Sequence, residues 1–185
     1  SCTTNCVAPL LRVLEDTIGI KKSMMTTIHS YTNSQNLQDA PHKKLRESRA
    51  AAENIIPTST GAATSVGEAM PEELGEFNGL SIRVPTPIVS LVDLTAITEK
   101  KITKEKLNLI FEKAIKEARW QGILATSDEE LVSSDFIGNS HSAIVDLNLT
   151  DVVAGDLIKI VAWYDNEWGY SNRLVELCVD AHNCA

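Results

Sequence analysis

A chain of 185 residues, 43% hydrophobic and 23% charged, carries enough apolar material to bury a sizeable core as one domain, and nothing in its composition points to disorder. Its formal charge of −8 excludes a general nucleic-acid or anionic-membrane surface, both of which need clustered Lys and Arg, so any anion site must be local. No stretch approaches the ~20 apolar residues of a membrane span and no basic-then-apolar leader precedes Ser1, so a soluble cytoplasmic protein is expected, and the start on Ser1-Cys2 reads as a piece of something longer.

The first predicted element is a helix opening at Cys2, with Val7, Leu10, Leu11, Leu14 and Ile18 in helical register and Gly19 as its stop. Pro9 removes an N–H and clashes with the Asn5 carbonyl, so a bend is expected in the second turn. A thiol at a helix N-terminus faces unpaired N–H groups and the positive end of the dipole, which favour thiolate. A strand from Lys22 to Ser30 follows, and the lengths are matched: the helix to Ile18 spans roughly 24 Å at about 1.5 Å per residue, and Lys22 to His29 spans roughly 23 Å of strand at about 3.3 Å per residue. If the strand returns along the helix, His29 ends level with Cys2, and a thiol beside an imidazole is a nucleophile with its base. Taken alone, the two residues fit better an inert capped thiol and a satisfied strand-end histidine.

Tyr31 to Ser48 reads as a long polar loop of the kind that usually carries function. Arg49 to Ile56 suggests a short helical turn ended by Pro57, and Thr58-Ser59-Thr60-Gly61 then leads into a small-residue helix, Ala62 to Met70, stopped by Pro71. Hydroxyls and a glycine before a helix make either an anion cradle or an ordinary N-cap. Leu80 to Val84 and Ile88 to Ile97 read as strands around Pro85 and Pro87, and Arg83 on the first of them needs a partner, either a phosphate or a structural carboxylate. Thr103 to Ala118 is the clearest amphipathic helix. Strands are expected over Ile123 to Leu131, Ser142 to Leu149 and Leu157 to Tyr164, and a final helix over Gly169 to Cys184 has more apolar surface than one domain can bury. The fold class that follows is α+β: a mixed, largely antiparallel sheet with about three main helices packed on one side and no βαβ repeat.

Cys2, Cys6, Cys178 and Cys184 suit a reducing compartment better than a disulfide framework, since Cys2 and Cys6 stand i, i+4 on one helix. A zinc site built on Cys2, Cys6 and His29 lacks a fourth ligand at usual spacing, so no metal is expected.

The residues also carry a resemblance. Ser1-Cys2-Thr3-Thr4-Asn5-Cys6, His29-Ser30-Tyr31-Thr32, Arg49-Ala50-Ala51-Ala52, the block from Asn54 to Ala63, Arg83-Val84-Pro85-Thr86-Pro87 and the block from Trp163 to Arg173 resemble, in order and spacing, the C-terminal catalytic domain of the phosphorylating glyceraldehyde-3-phosphate dehydrogenase family. The resemblance implies that residues 1–185 are that domain, with an N-terminal Rossmann domain for NAD absent from this chain. It implies Cys2 as nucleophile forming a thioester and His29 as base, Thr32 and Arg83 at the substrate phosphate, and Ser1, Thr3, Thr60 and Gly61 at inorganic phosphate. It further implies Asn166, Tyr170 and Pro41 toward the cofactor, and a homotetramer built partly by the loop. Pro41 leans toward NAD while Ala40 leaves NADP open, and Glu47 stands where the family usually has arginine. No G-x-G-x-x-G occurs here, so this chain alone is expected not to turn over. Three other readings fit less of the sequence: an erythrose-4-phosphate dehydrogenase of the same superfamily, a cysteine hydrolase on Cys2 and His29, and a non-catalytic binding or scaffold domain.

Overall fold

The core starts at helix α1 (Cys2–Thr17), capped by the Ser1 hydroxyl accepting from the Thr4 N–H at 3.2 Å. Its buried stripe, Val7, Leu10, Leu11 and Leu14, is the one its spacing predicts, and the helix runs on through Pro9. Gly19, at φ +71°, lets the chain turn back in a left-handed conformation that a side chain would resist, and β1 (Ile20–Ser30) returns along the helix. The computed structural model describes residues 1–70 and 76–183; the expected stop at Pro71 and the end of the last helix at Cys184 lie outside them.

The remaining elements are β2 (Ile56–Thr58), α2 (Ala62–Ala69), β3 (Glu76–Val84), β4 (Ser90–Thr98), α3 (Lys104–Ala114), β5 (Leu124–Ser127), β6 (Ala143–Asp146), β7 (Asp151–Val153), β8 (Leu157–Tyr164) and α4 (Trp168–Asn183). They form one eight-stranded sheet in the order β2-β3-β1-β4-β8-β6-β5, with β7 paired to β8. The pairs β1/β3 and β5/β6 are parallel and the others antiparallel, so the expected α+β class with a mixed, largely antiparallel sheet holds. Helix α1 lies against β1 and β4 with α2, α3 and α4 packed on it, which gives four helices among the described residues where about three main ones were expected.

Several boundaries differ from the sequence reading. The helical turn expected over Arg49 to Ile56 is a turn at residues 51–53, and Ile56 to Thr58 pairs with β3. Pro57 is tolerated because β2 is an edge strand, where one face of the ladder needs no donor. The amphipathic helix stops at Ala114, and Ala118–Trp120 is a separate 3-10 turn. The strand expected over Ile123 to Leu131 shortens to β5, and the three-residue β7 carries no periodic signal of its own.

Along β1 the odd positions Met25, Thr27 and His29 are buried toward the helices, while Met24 faces out at 65% exposure. That outer face, with Met24, Thr26, Leu80, Asp93 and Thr95, bounds a groove of about 940 Å³ whose lining includes neither Cys2 nor His29. Helix α4 buries only Gly169 among its described residues, and Leu174, Val175, Leu177 and Val179 stand about half exposed or more. Gly169 is obligatory for this placement, since a Cβ there would lie 2.8 Å from the His141 carbonyl oxygen.

Candidate functional site

Helix α1 and strand β1 bring Cys2 and His29 together, with the strand starting at Ile20 and not at the expected Lys22. The Cys2 sulfur lies 3.3 Å from His29 Nε2, at the helix N-terminus and at the end of the strand's inward face. His29 is 4% exposed, and its Nδ1 stands 2.7 Å from the Ser30 carbonyl oxygen. With Nδ1–H donating to that carbonyl, Nε2 carries the lone pair that accepts from the Cys2 thiol, which is the arrangement of a neutral base over its acid.

Arg83 enters from β3, which pairs in parallel with β1 so that Arg83 is the register partner of His29. Its Nη1 donates to the Ser30 carbonyl at 3.1 Å and also contacts His29 Nδ1. No carboxylate is paired with Arg83 among the described residues, so the structural ion pair left open by the sequence is not formed.

The third wall is Tyr164, at the end of β8. Its buried hydroxyl sits 2.8 Å from Thr27 Oγ1 and 3.0 Å from Thr3 Oγ1, and its ring meets the His29 ring edge-on with centroids 6.1 Å apart. A buried tyrosine normally finds partners for its hydroxyl, and a Tyr closing a strand behind Cys2 is the only sequence signal of this role. Thr3, expected toward inorganic phosphate, is 4% exposed and spends its hydroxyl on Tyr164, so it braces the site from within.

Burial sets the charge states. It pushes the Cys2 thiol up, against the lowering effects of Thr3 and the Arg83 charge, so the helix N-terminus does not win as the sequence suggested. It also pulls His29 down from 6.5 to about 4, with the Arg83 guanidinium adding to the effect and the Ser30 carbonyl opposing it. Burial drives the Tyr164 phenol far up, so it stays protonated. Burial thus works against the charged form of each partner in the 3.3 Å contact. Stability must follow: the unfolded chain protonates His29 below pH 6.5 while the folded chain resists until about pH 4. Stability is expected to drain across that window as pH falls, and His29→Asn to remove on the order of a few kcal/mol of the acid loss in urea titrations at each pH.

The other expected residues lie around this group at differing remove. Thr32, in the loop after β1, bonds Ser34 Oγ at 3.0 Å, and its N–H meets Gln35 Oε1 at 3.2 Å. Asn166 is 6% exposed and its Oδ1 accepts from Ser90 Oγ at 3.0 Å, while Ser90 Oγ accepts the Ser30 N–H at 3.1 Å. One relay thus ties Asn166 to the residue whose carbonyl holds His29, and Ser90, unmarked by any motif, is its joint. Val89 at φ +70° brings the chain into that joint, its carbonyl held by Ser30 Oγ at 2.7 Å. Thr60 Oγ1 accepts the Ala62 N–H at 3.1 Å and Gly61 caps α2, so the Thr60–Gly61 turn is an N-cap whose hydrogen bonds do not extend to Cys2, His29 or Arg83. Ser1 is exposed at the N-cap of α1, Tyr170 is 40% exposed and Pro41 is exposed in the loop.

Glu47 is the loop's anchor. At 6% exposure it accepts from Lys44 Nζ at 3.1 Å and from Thr58 Oγ1 on β2. Burial works against its ionisation, but these two hydrogen bonds hold it below the ordinary carboxylate range. Lys44 Nζ also reaches Ser59 Oγ at 3.2 Å, tying loop and β2 together beside the Thr60 turn.

A family model described as the C-terminal domain of glyceraldehyde 3-phosphate dehydrogenase matches residues 1–166. Glyceraldehyde-3-phosphate dehydrogenase 1 of Bacillus subtilis (strain 168) is 54% identical over 177 residues, which are 96% of this chain and 52% of that protein. The glyceraldehyde-3-phosphate dehydrogenases of Mycobacterium leprae (strain TN) and Geobacillus stearothermophilus match with the same identity and coverage. The chain spans about half the length of the curated relatives it matches.

Proposed function

This chain belongs to the glyceraldehyde 3-phosphate dehydrogenase family through its C-terminal domain, and from that premise we propose that it is the catalytic half of an enzyme that oxidises and phosphorylates glyceraldehyde 3-phosphate to 1,3-bisphosphoglycerate. The observation that carries the reading is the 3.3 Å approach of the Cys2 sulfur to His29 Nε2, beside a guanidinium that pairs with no carboxylate among the described residues. His29 takes the thiol proton and the Cys2 thiolate adds to the aldehyde carbon, giving a hemithioacetal. His29, having passed that first proton to the new alkoxide, accepts it again as the carbon loses hydride and becomes a thioester on Cys2. Inorganic phosphate then displaces the sulfur, releasing the acyl phosphate and restoring the thiolate. Splitting the reaction at a thioester keeps the oxidation energy in a bond that phosphate can capture.

Nicotinamide suits the residues present. Ser90 fixes Asn166 Oδ1 as an acceptor, which leaves Nδ2, 3.5 Å from Glu167 Oε1, as the group that can donate to a carboxamide oxygen. A nicotinamide held there supplies the hydride acceptor, and NAD is the form we favour because of Pro41. Arg83 and Thr32 would hold the substrate phosphate, and Ser1, Thr60 and Gly61 the attacking phosphate, with Tyr170 beside the cofactor. Thr3 supports Cys2 from behind. The exposed apolar residues of α4 suit docking of a separate cofactor-binding domain, and the loop from Tyr31 to Ser48 would contribute to a homotetramer, in the cytoplasm.

In the full-length protein, glyceraldehyde 3-phosphate with NAD and no inorganic phosphate is expected to leave a glyceryl phosphate thioester on the peptide carrying Cys2, detected by mass spectrometry and discharged on adding phosphate. An unmodified Cys2 under conditions where NADH forms would overturn the reading.

A further inference from the structure

We propose that Ser90 is a positioning residue for the cofactor: its hydroxyl fixes the Asn166 side-chain amide with the nitrogen outward, so that the site selects a pyridinium ring whose 3-substituent presents a hydrogen-bond acceptor. The inference deepens the reading of Asn166 as the nicotinamide contact and rests on it.

The backbone around Asn166 is already held. Asp165 Oδ1 accepts from the N–H groups of Glu167 and Trp168 at 2.9 Å each, and its Oδ2 accepts from the Gly138 N–H at 2.9 Å, which pins the turn between β8 and α4. Such a turn leaves the direction of the amide open. The oxygen and nitrogen of an asparagine fill the same shape but offer opposite things, an acceptor on one side and two donors on the other. Whichever atom points inward decides what the outward one can recognise.

Donor counting at Ser90 makes that choice. Ser90 opens β4 opposite Tyr164, the last residue of β8, and its hydroxyl meets the side chain two places further along. A hydroxyl has one proton and two lone pairs. The Ser30 N–H can only donate, so it takes a lone pair of Ser90 Oγ at 3.1 Å, and the Ser90 proton goes to Asn166 Oδ1 at 3.0 Å. Ser90 is 2% exposed, and a reversed amide would set Nδ2 against that hydroxyl and take the acceptor of its proton away in the interior, where water does not replace it. From the other side, Glu167 Oε1 stands 3.5 Å from Nδ2, where a carboxylate suits an N–H and opposes a carbonyl oxygen. The hydroxyl itself is fixed from behind. Val89 at φ +70° has its carbonyl held by Ser30 Oγ at 2.7 Å, and a β-branched residue keeps that conformation only where its surroundings impose it. Ser30 thus holds the Val89–Ser90 step at two points, one by its side chain and one by its backbone.

An outward Nδ2 donates to the carbonyl oxygen of a carboxamide or of an acetyl group and finds nothing on a bare ring. A donor whose direction is preset discriminates well, because a ligand without the acceptor leaves it unpaired.

Calorimetric Kd values of the full-length protein for NAD, 3-acetylpyridine adenine dinucleotide and pyridine adenine dinucleotide test the proposal. Wild type is expected to bind the acetylpyridine form within about threefold of NAD and the unsubstituted pyridine form about tenfold more weakly. Ser90→Ala is expected to weaken NAD and the acetylpyridine form about fivefold and to leave the pyridine form unchanged, because only the first two use the oriented amide. Ser90→Thr, which restores a hydroxyl, is expected to recover most of the preference. Should the alanine variant fail to fold, Ser90→Cys gives the same comparison, with a weak S–H donor placing its preference between the two. A Ser90 variant that weakens all three ligands alike acts through the fold, and one that weakens none has no part in orienting the amide; either result overturns the proposal. Asn166→Ala separates this inference from the reading beneath it. Loss of the preference in Asn166→Ala but not in Ser90→Ala would leave Asn166 as the nicotinamide contact and remove Ser90 from the account, whereas a preference that survives Asn166→Ala would remove both.

Discussion

Cys2→Ser is expected to lower turnover of the full-length enzyme by more than about 10⁴-fold, with no covalent adduct on the residue. The substitution keeps the N-terminal turn of α1, because the cap is made by Ser1 and the helix contacts are made by Cys6, Val7 and Leu10. It keeps a hydrogen bond to His29 as well. What it loses is acidity and a good leaving atom. Burial already holds the thiol above its ordinary range, and a hydroxyl starts several units higher, beyond the reach of an imidazole that titrates at about 4. An oxygen ester formed there would also resist displacement by phosphate. Steady-state NADH formation and mass spectrometry of the Cys2 peptide check the result, and a serine variant within a factor of about 100 of wild type would show that sulfur is not the nucleophile.

The core of this site was legible because its two halves are local. Cys2 and His29 sit on consecutive elements joined at Gly19, so a strand returning along the helix carries His29 back toward Cys2, and the 3.3 Å contact forms although β1 starts at Ile20 and is longer than the helix. Arg83 reads as a cation needing a partner, but its identity as the register neighbour of His29 depends on β1 and β3 pairing in parallel across the long loop, β2 and α2. The electrostatics depend on the same kind of long-range contact. A helix N-terminus is visible in sequence, whereas the burial that outweighs it is completed by Tyr164, 161 residues away from Thr3 in the chain. Ser90 escaped notice because a serine on a strand has no pattern until Ser30 and Asn166 are seen on either side of it. The edge position that permits Pro57 in β2 is likewise a property of the sheet, not of the residues around the proline.

His29→Asn is expected to reduce kcat by about 10²- to 10⁴-fold, the usual loss when a positioned general base is removed. Asparagine keeps a short polar group near the Ser30 carbonyl but does not reach the sulfur, so the strand end and its relay through Ser90 survive while the proton acceptor is lost. The pH profile then separates catalysis from damage to the fold. Without His29 the reactive thiolate has to form by direct ionisation of a thiol that burial holds high, so the variant's rate should keep climbing with pH where the wild type has levelled off. A variant that was merely loosened would be slower at every pH with the wild-type profile. The double variant Cys2→Ser/His29→Asn should be no slower than Cys2→Ser, because a base with no acid to serve contributes nothing further. Additive losses, or a His29→Asn enzyme within about tenfold of wild type at neutral pH, would mean that the proton leaves Cys2 by another route and that the imidazole is there to shape the site.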